Sequence, residues 1–217
     1  MLDLVLADAR TPSGSFAASG GLEAAVGAGL AATEVPQFIR ARLRTVGVCD
    51  ASVAVAALGC GSVDGLLALD LEAAARTPAE PLRRVSAQLG QGLLRTASVW
   101  FPDHAVLAGY RSRSVLTPRP VVLGAVARAA GGVDPLAVAR VSLYDDAATV
   151  ASAAVKLLPL DAAVTSAWVV ALAAEIGALA ATAVAAAAVG DLPSTATPLL
   201  DERAMKFATT DRRLFVS

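Results

Sequence analysis

Apolar residues recur every three to four positions through much of this chain, and that spacing is typical of one face of an α-helix. Between residues 79 and 100 the apolar residues near helical spacing are Leu82, Val85, Leu89, Leu93 and Leu94. Strict alternation of apolar and polar residues, which would favour a strand over a helix, occurs only in "LDLVL" near the start. The pattern therefore predicts an all-α fold.

Caps, prolines and glycines divide this pattern into helices. Helices are predicted over 33–48 (Thr33 through "QFIRARLRTVGV"), 66–75, 79–100 (after a cap at Thr77), 121–130, 135–158 and 162–189. Residues 101–120 are predicted as a loop or irregular crossing. Since no internal repeat of about 20–50 residues is visible, we expect one domain over 1–217. It would be a bundle of roughly eight to ten helices with a flexible docking tail from about 190 to 217.

The composition agrees with closely packed helices. Hydrophobic residues make up 56% of the 217 residues and aromatic residues only 4%, while alanine, the best helix former, is abundant. The net charge of −1 and the pI of about 5.8 provide no field that would attract nucleic acid or an anionic membrane. We therefore expect neither as a partner.

The segment 162–189 has a single charged residue, Glu175, and is long enough to cross a bilayer. Alanine gains little from lipid, and a carboxylate near the middle of a span would cost a few kcal/mol. The segment also lacks aromatic belts and a cluster of Lys or Arg at its ends. A buried helix is the favoured interpretation, and an Ala-rich membrane-associated helical protein is the alternative.

The two cysteines, Cys49 and Cys60, follow a start that does not read as a secretory signal. "MLDLVLADAR" places Asp3 and Asp8 where a signal peptide carries basic residues. We therefore expect a cytoplasmic protein with both thiols reduced and buried as small apolar groups. A reactive or metal-binding pair is the less favoured alternative, because no His or third Cys lies nearby in the sequence.

Candidate catalytic residues are few. A hydrolase would have to use His104, the only histidine, with Ser19 or Ser86, but the sequence has no G-x-S-x-G elbow and a solvated loop histidine is the simpler interpretation. No metal-ligand spacing is present, so neither a metal nor a cofactor is predicted. Asp145 and Asp146 would point about 100° apart on a helix. We expect them to form a solvated face and not a catalytic pair.

The stretch "TPSGSFAASGGLEAAVGAG" (11–29) runs from small residues into a helix start. A phosphate loop is disfavoured, because Gly20 and Gly21 are followed by Leu22 and Glu23 where a Walker loop needs lysine. We predict a bend with at least one positive φ or a close backbone contact at the two glycines. A helix would begin near Leu22, with Glu23 in its first turn. An ordinary loop and a partner-binding surface both remain open.

Four segments resemble the UreF family of urease accessory proteins. They are "LADARTPSGSFAASGGLEAAV", "AEPLRRVSAQLGQGLL", "AAVKLLPLD" and "DRRLFVS", and their order and spacing cover nearly the whole chain. The chain departs from the family pattern in three places. Ala18 and Phe207 stand near positions where the family carries histidine, and "PLD" replaces "PLG". If those histidines touch nickel in relatives, this chain cannot do so in the same way.

The resemblance implies an all-α homodimer without catalytic activity. Such proteins join the accessory protein UreD (also called UreH) and the GTPase UreG on the urease apoprotein, to which nickel is delivered as a lysine is carbamylated. On this interpretation the opening stretch binds a partner through Ser19, Gly20, Gly21, Leu22 and Glu23.

Lys156 and the chain end are the other candidate partner-binding residues. Lys156 stands one turn before Pro159 and would stabilise the helix dipole by about 0.3–1 kcal/mol, whereas the resemblance implies contact with the GTPase or a regulatory role. The segment after Pro193 and Pro198 should not continue the last long helix. Its apolar end suggests docking on this chain or on a partner. The resemblance names UreD as that partner, with contacts from Arg212, Arg213, Leu214 and Phe215.

Overall fold

The computed structural model describes residues 1–8, 11–12, 18–195, 197–208 and 214–215. These residues form helices and connections without a strand, so the predicted all-α fold is confirmed. The α-helices are α1 (Leu2–Ala7), α2 (Leu22–Gly27), α3 (Val35–Arg42), α4 (Val48–Gly59), α5 (Val63–Ala75), α6 (Glu80–Trp100), α7 (Ala105–Arg113), α8 (Arg119–Ala130), α9 (Pro135–Leu157), α10 (Ala162–Ala171), α11 (Ala173–Val189) and α12 (Pro198–Phe207).

Helix α4 is the centre of the bundle and packs against α5, α8, α9 and α11. A π-helical segment, Leu43–Gly47, joins it to α3. Its contact with α8 is very close, because a Cβ added to Gly124 would lie 2.1 Å from the carbonyl oxygen of Ala54. Since α4 is apolar on most sides it has little amphipathic periodicity. The sequence analysis accordingly missed a helix over these residues.

Several predicted helix starts are confirmed. The Asp134 carboxylate accepts a hydrogen bond from the Leu136 N–H (3.1 Å), and Asp161 accepts one from the Ala163 N–H (2.7 Å). The cap at Thr77 is wrong, because α6 begins after Ala79. The Thr77 hydroxyl instead donates to the Ala73 carbonyl near the end of α5. The "LDLVL" segment forms α1 rather than a strand.

The loop expected over 101–120 is also wrong, since α7 lies within it. His104 caps this helix through Nδ1, which accepts a hydrogen bond from the Leu107 N–H (3.3 Å). Leu107 and Tyr110 are buried one turn apart on the same face. Tyr110 donates to the buried Asp70 of α5, and this long-range contact fixes the helix.

The Ala-rich segment 162–189 divides into α10 and α11, which bend by 49° at Leu172. One face of the pair packs on α9 and α4 and the rest is largely exposed, so the single buried helix expected over 162–189 is wrong. Glu175 forms ion pairs with Arg40 (3.0 Å) and Arg44 on α3 and the π-helical segment. In the described part of the chain, no single helix is long and apolar enough to cross a membrane, and these two meet that test only as a bent pair.

Candidate functional site

The turn at Gly20 and Gly21 confirms the predicted backbone geometry, with φ values of 60° and 81°. A Cβ on Gly20 would lie 2.8 Å from a methyl carbon of Val150 on α9. A Cβ on Gly21 would lie 2.5 Å from a methyl carbon of Leu200 on α12. The turn is therefore held between α9 and α12, and both its conformation and its space favour glycine.

Glu23 follows this turn in α2 and contacts the far end of the chain. The residue is only 8% exposed, and its backbone N–H donates to the hydroxyl of fully buried Ser19 (3.4 Å). Its carboxylate accepts hydrogen bonds from the backbone N–H groups of Leu214 (2.6 Å) and Phe215 (3.1 Å). Both carboxylate oxygens are thus used to hold the last described residues.

Phe215 completes this contact on the surface of α9. Its side chain is 6% exposed, and the Nζ of Lys156 lies 5.1 Å from the ring centroid, within the range of a cation–π interaction. A small cavity beside the ring is lined by Tyr144, Ala148 and Ser152 of the same helix. We call Glu23, Lys156, Leu214 and Phe215 the tail site.

The structure thus brings together three groups of residues that the sequence suggested separately: the turn with Glu23, Lys156, and the chain end. Their meeting was not predicted. Ser19, Leu22 and Glu23 are buried within the chain itself, so the opening stretch does not present them as an exposed surface. Leu214 is 74% exposed. Arg212 and Arg213 lie outside the described residues.

The segment expected as a flexible tail over 190–217 contains a helix. As predicted, it does not continue the last long helix, which ends at Val189 before a left-handed Gly190 (φ 71°). Helix α12 then packs Leu200 and Ala204 against α2 and α6. The sequence analysis missed this helix because Pro193 and Pro198 were taken to mark a polar tail, whereas Pro198 occupies the first turn of α12, where proline is tolerated.

A second polar region also borders the glycine turn. It is a cavity of about 360 Å³ between α3, α4, α6, α8 and α9, and Gly20 and Gly21 form part of its wall. We call it the charged cavity.

Two ion pairs cross the charged cavity. Arg42 of α3 contacts Asp146, and Arg119 at the start of α8 contacts Asp145 (2.7 Å). The solvated face predicted for the two aspartates is therefore wrong. Because neighbouring residues of α9 point in different directions, each aspartate reaches a different helix, and each carboxylate is partly buried in an ion pair.

Within the described part of the chain, four buried polar atoms in or near these pairs have no hydrogen-bond partner: Arg42 Nε, Arg119 Nη1, Asp146 Oδ2 and Thr117 Oγ1. Asp50 of α4 also lines the cavity. Burial raises the pKa of Asp50 to about 7, and the nearby Asp146 acts in the same direction, while Arg42 and Arg119 oppose the shift. Asp50 therefore keeps its proton to a higher pH than an ordinary aspartate does.

The residues proposed for a hydrolase are engaged elsewhere. Ser86 accepts a hydrogen bond from the Arg119 N–H (3.1 Å), and Ser19 and His104 accept from the amides already described. Cys49 is buried as predicted, whereas Cys60 is only partly buried, and both are free thiols. Among the described residues there is no group of three or more His, Cys, Asp or Glu that could hold a metal ion.

Comparison with known proteins identifies relatives over almost the whole chain. A model of the UreF family matches residues 30–173. Urease accessory protein UreF of Mycobacterium sp. (strain JLS) is 36% identical over 216 residues, which are 99% of this chain and 97% of that protein. The proteins of the same name from Mycobacterium marinum and Mycobacterium tuberculosis are 35% and 37% identical with the same coverage.

Proposed function

This chain belongs to the UreF family of urease accessory proteins, and on that basis we propose that it is a non-catalytic adaptor of urease maturation. It assembles with UreD (UreH) and the GTPase UreG on the urease apoprotein and modulates the action of UreG during nickel insertion. We further propose that it works in the cytoplasm as a homodimer.

The tail site is the observation that best supports an adaptor. The chain end is held on the helical body by two backbone hydrogen bonds and one buried ring. Leu214 in this site is 74% exposed, and Leu199 and Met205 of the preceding helix, α12, are 57% and 53% exposed. Exposed apolar side chains that form one contiguous patch are typical of a surface that binds another protein. We infer that UreD contacts this end of the chain.

Lys156 connects this surface to α9. Because its ammonium group lies over Phe215, a change in the position of the chain end also changes the surroundings of Lys156. We infer that the regulatory role suggested for Lys156 operates through the tail site. Any contact with UreG would then depend on how the chain end is docked.

A shortened chain tests the proposal. We expect a chain ending at Thr210 to keep its helical circular dichroism but to lose co-purification with UreD. A point variant refines the result: Leu214→Ser should weaken UreD binding, while Val99→Ser, at a similarly exposed position (79%) on α6, should not. If the shortened chain binds UreD as tightly as the full chain, the interface lies on the helical body instead.

A further inference from the structure

The first half of α6 carries an apolar stripe that is not packed into a core. In the sequence pattern, five apolar residues share one face of this helix. Leu93 and Leu94, in its second half, are buried in the core. Leu82, Val85 and Leu89, in its first half, are only half-buried, and in the described part of the chain neither apolar core includes them. The stripe therefore continues beyond the surface that the bundle buries.

These three residues line the charged cavity instead. Two further apolar residues of the same cavity, Val115 and Leu116, come from the connection 114–118 and are 87% and 37% exposed. The connection lies directly against α6, because the backbone of Thr117 occupies the space that a Cβ on Gly90 would need. We call the part of the cavity between the first half of α6 and this connection the α6 groove.

A fixed guanidinium group borders the α6 groove. Nη1 of Arg83 donates to the carbonyl oxygens of Thr77 (2.7 Å) and Pro78 (2.6 Å), and no carboxylate among the described residues pairs with it. Its Nε and Nη2 also have no partner there and, unlike nitrogens of Arg42 and Arg119, are not buried. These two nitrogens form the side of a guanidinium group that binds a carboxylate through two parallel hydrogen bonds.

The surroundings of Arg83 are locally basic. Helix α6 carries three arginines and one glutamate, in a chain whose net charge is −1. That glutamate, Glu80, already pairs with Arg84, and Asp201 of α12 accepts a hydrogen bond from the Ala79 N–H. The other acidic residues that line the cavity are Asp50, Asp70, Asp145 and Asp146. They lie on α4, α5 and α9, and all but Asp50 have partners within the chain. A carboxylate is therefore the group that best complements Arg83.

We propose that the α6 groove docks an amphipathic helix of a partner protein that carries carboxylates beside its apolar stripe. The apolar residues of that helix pack on Leu82, Val85 and Leu89, and one carboxylate pairs with Arg83. Helices that dock in grooves use apolar residues spaced by three, four or seven positions, and the three residues of α6 have the same spacing. A second copy of this chain fits less well, because two copies of α6 would bring their arginines together. The groove is separate from the tail site, so the proposal does not rest on UreD or UreG.

Fluorescence anisotropy of the full chain with three labelled helical peptides of about 15 residues tests the proposal. The first peptide has leucines at helical spacing with glutamates beside them. The second has lysines in place of the glutamates, and the third has serines in place of the leucines. We expect saturable binding of the glutamate peptide, binding of the lysine peptide that is weaker by about fivefold or more, and no binding of the serine peptide. This comparison needs no variant of the chain to fold.

Variants of the chain locate the peptide. Leu89→Ser should weaken binding of the glutamate peptide about tenfold, whereas Val99→Ser, on the same helix outside the groove, should not change it. Arg83→Gln should weaken it about fivefold and abolish the preference over the lysine peptide, with Arg95→Gln as the matched control. Leu214→Ser, at the tail site, should bind as the wild type does. No saturable binding of the glutamate peptide, equal binding of the glutamate and lysine peptides, equal losses within either matched pair, or loss in the Leu214 variant would each overturn the proposal.

Discussion

The tail site and the charged cavity both border the glycine turn, and their carboxylates have different hydrogen-bond partners. At the tail site both oxygens of Glu23 accept backbone hydrogen bonds from the chain end. In the cavity Asp146 uses one oxygen in an ion pair, and the other has no hydrogen-bond partner among the described residues. The first arrangement is closed within the chain and holds a segment in place. The second leaves one oxygen of Asp146 unused among the described residues and holds no segment of the chain.

The turn itself links the two regions. Gly20 lies against the guanidinium of Arg42, with a Cβ position 3.5 Å from Nε, while Gly21 lies against Leu200 of α12. A displacement on one side therefore reaches the other through two adjacent residues. The following substitutions separate the two regions or disturb both.

Gly21→Ala should have the largest effect because it disturbs the turn that both regions share. The new methyl group combines a positive φ with contact on Leu200, and we expect a loss of about 2–3 kcal/mol of unfolding free energy in urea titrations. Gly29→Ala is the control, since Gly29 also has a positive φ (96°) but has open space around its Cβ position. Equal losses would show that the contact with α12 contributes nothing.

Glu23→Ala should act on the tail site alone. It removes two charge-assisted hydrogen bonds and should lower the unfolding free energy by about 1–3 kcal/mol. Hydrogen exchange should become faster at the amides of Leu214 and Phe215. The amides of α4 should remain more strongly protected than those of the chain end. Unchanged exchange at the chain end would contradict the role given to Glu23.

Asp50→Asn should act on the cavity alone, and only at higher pH. The pKa of Asp50 is about 7 in the folded chain against 3.8 as the ordinary value, so the folded state binds the proton more tightly. Stability from this group is therefore full below about pH 4 and lost as the pH rises to about 7. The variant should match the wild type near pH 5 more closely than near pH 8, where it should be more stable by about 1–3 kcal/mol. Urea titrations at both pH values measure this, and equal differences at both would contradict it.

Lys156→Ala should have the smallest effect on stability, about 0.5–1 kcal/mol, from the loss of one cation–π contact and the helix-end charge. Lys156→Arg is the matched control, because it keeps a cation over the ring. We expect Lys156→Ala to alter urease activation more than it alters the melting temperature. Lys156→Arg should activate urease as the wild type does. If activation is the same in all three chains, Lys156 has no regulatory role.

Local rules predicted the parts of both regions that depend on neighbouring residues. The glycine turn, the start of α2 and the caps at Asp134 and Asp161 each need only a few adjacent side chains. The hydrogen bonds between Glu23 and the chain end could not be predicted, because they join residues 191 and 192 positions apart. The ion pairs of Asp145 and Asp146 were missed for the same reason, since their partners lie on other helices.

Urease activation tests the central claim, that this chain is an adaptor whose docked end serves urease maturation, most directly. Apo-urease, UreD and UreG would be produced together with the full chain, with the chain ending at Thr210, or without either, and urease activity and bound nickel would be measured. We predict active, nickel-loaded urease only with the full chain. Equal activity without the chain would contradict the function, and equal activity with the shortened chain would contradict the role of its end.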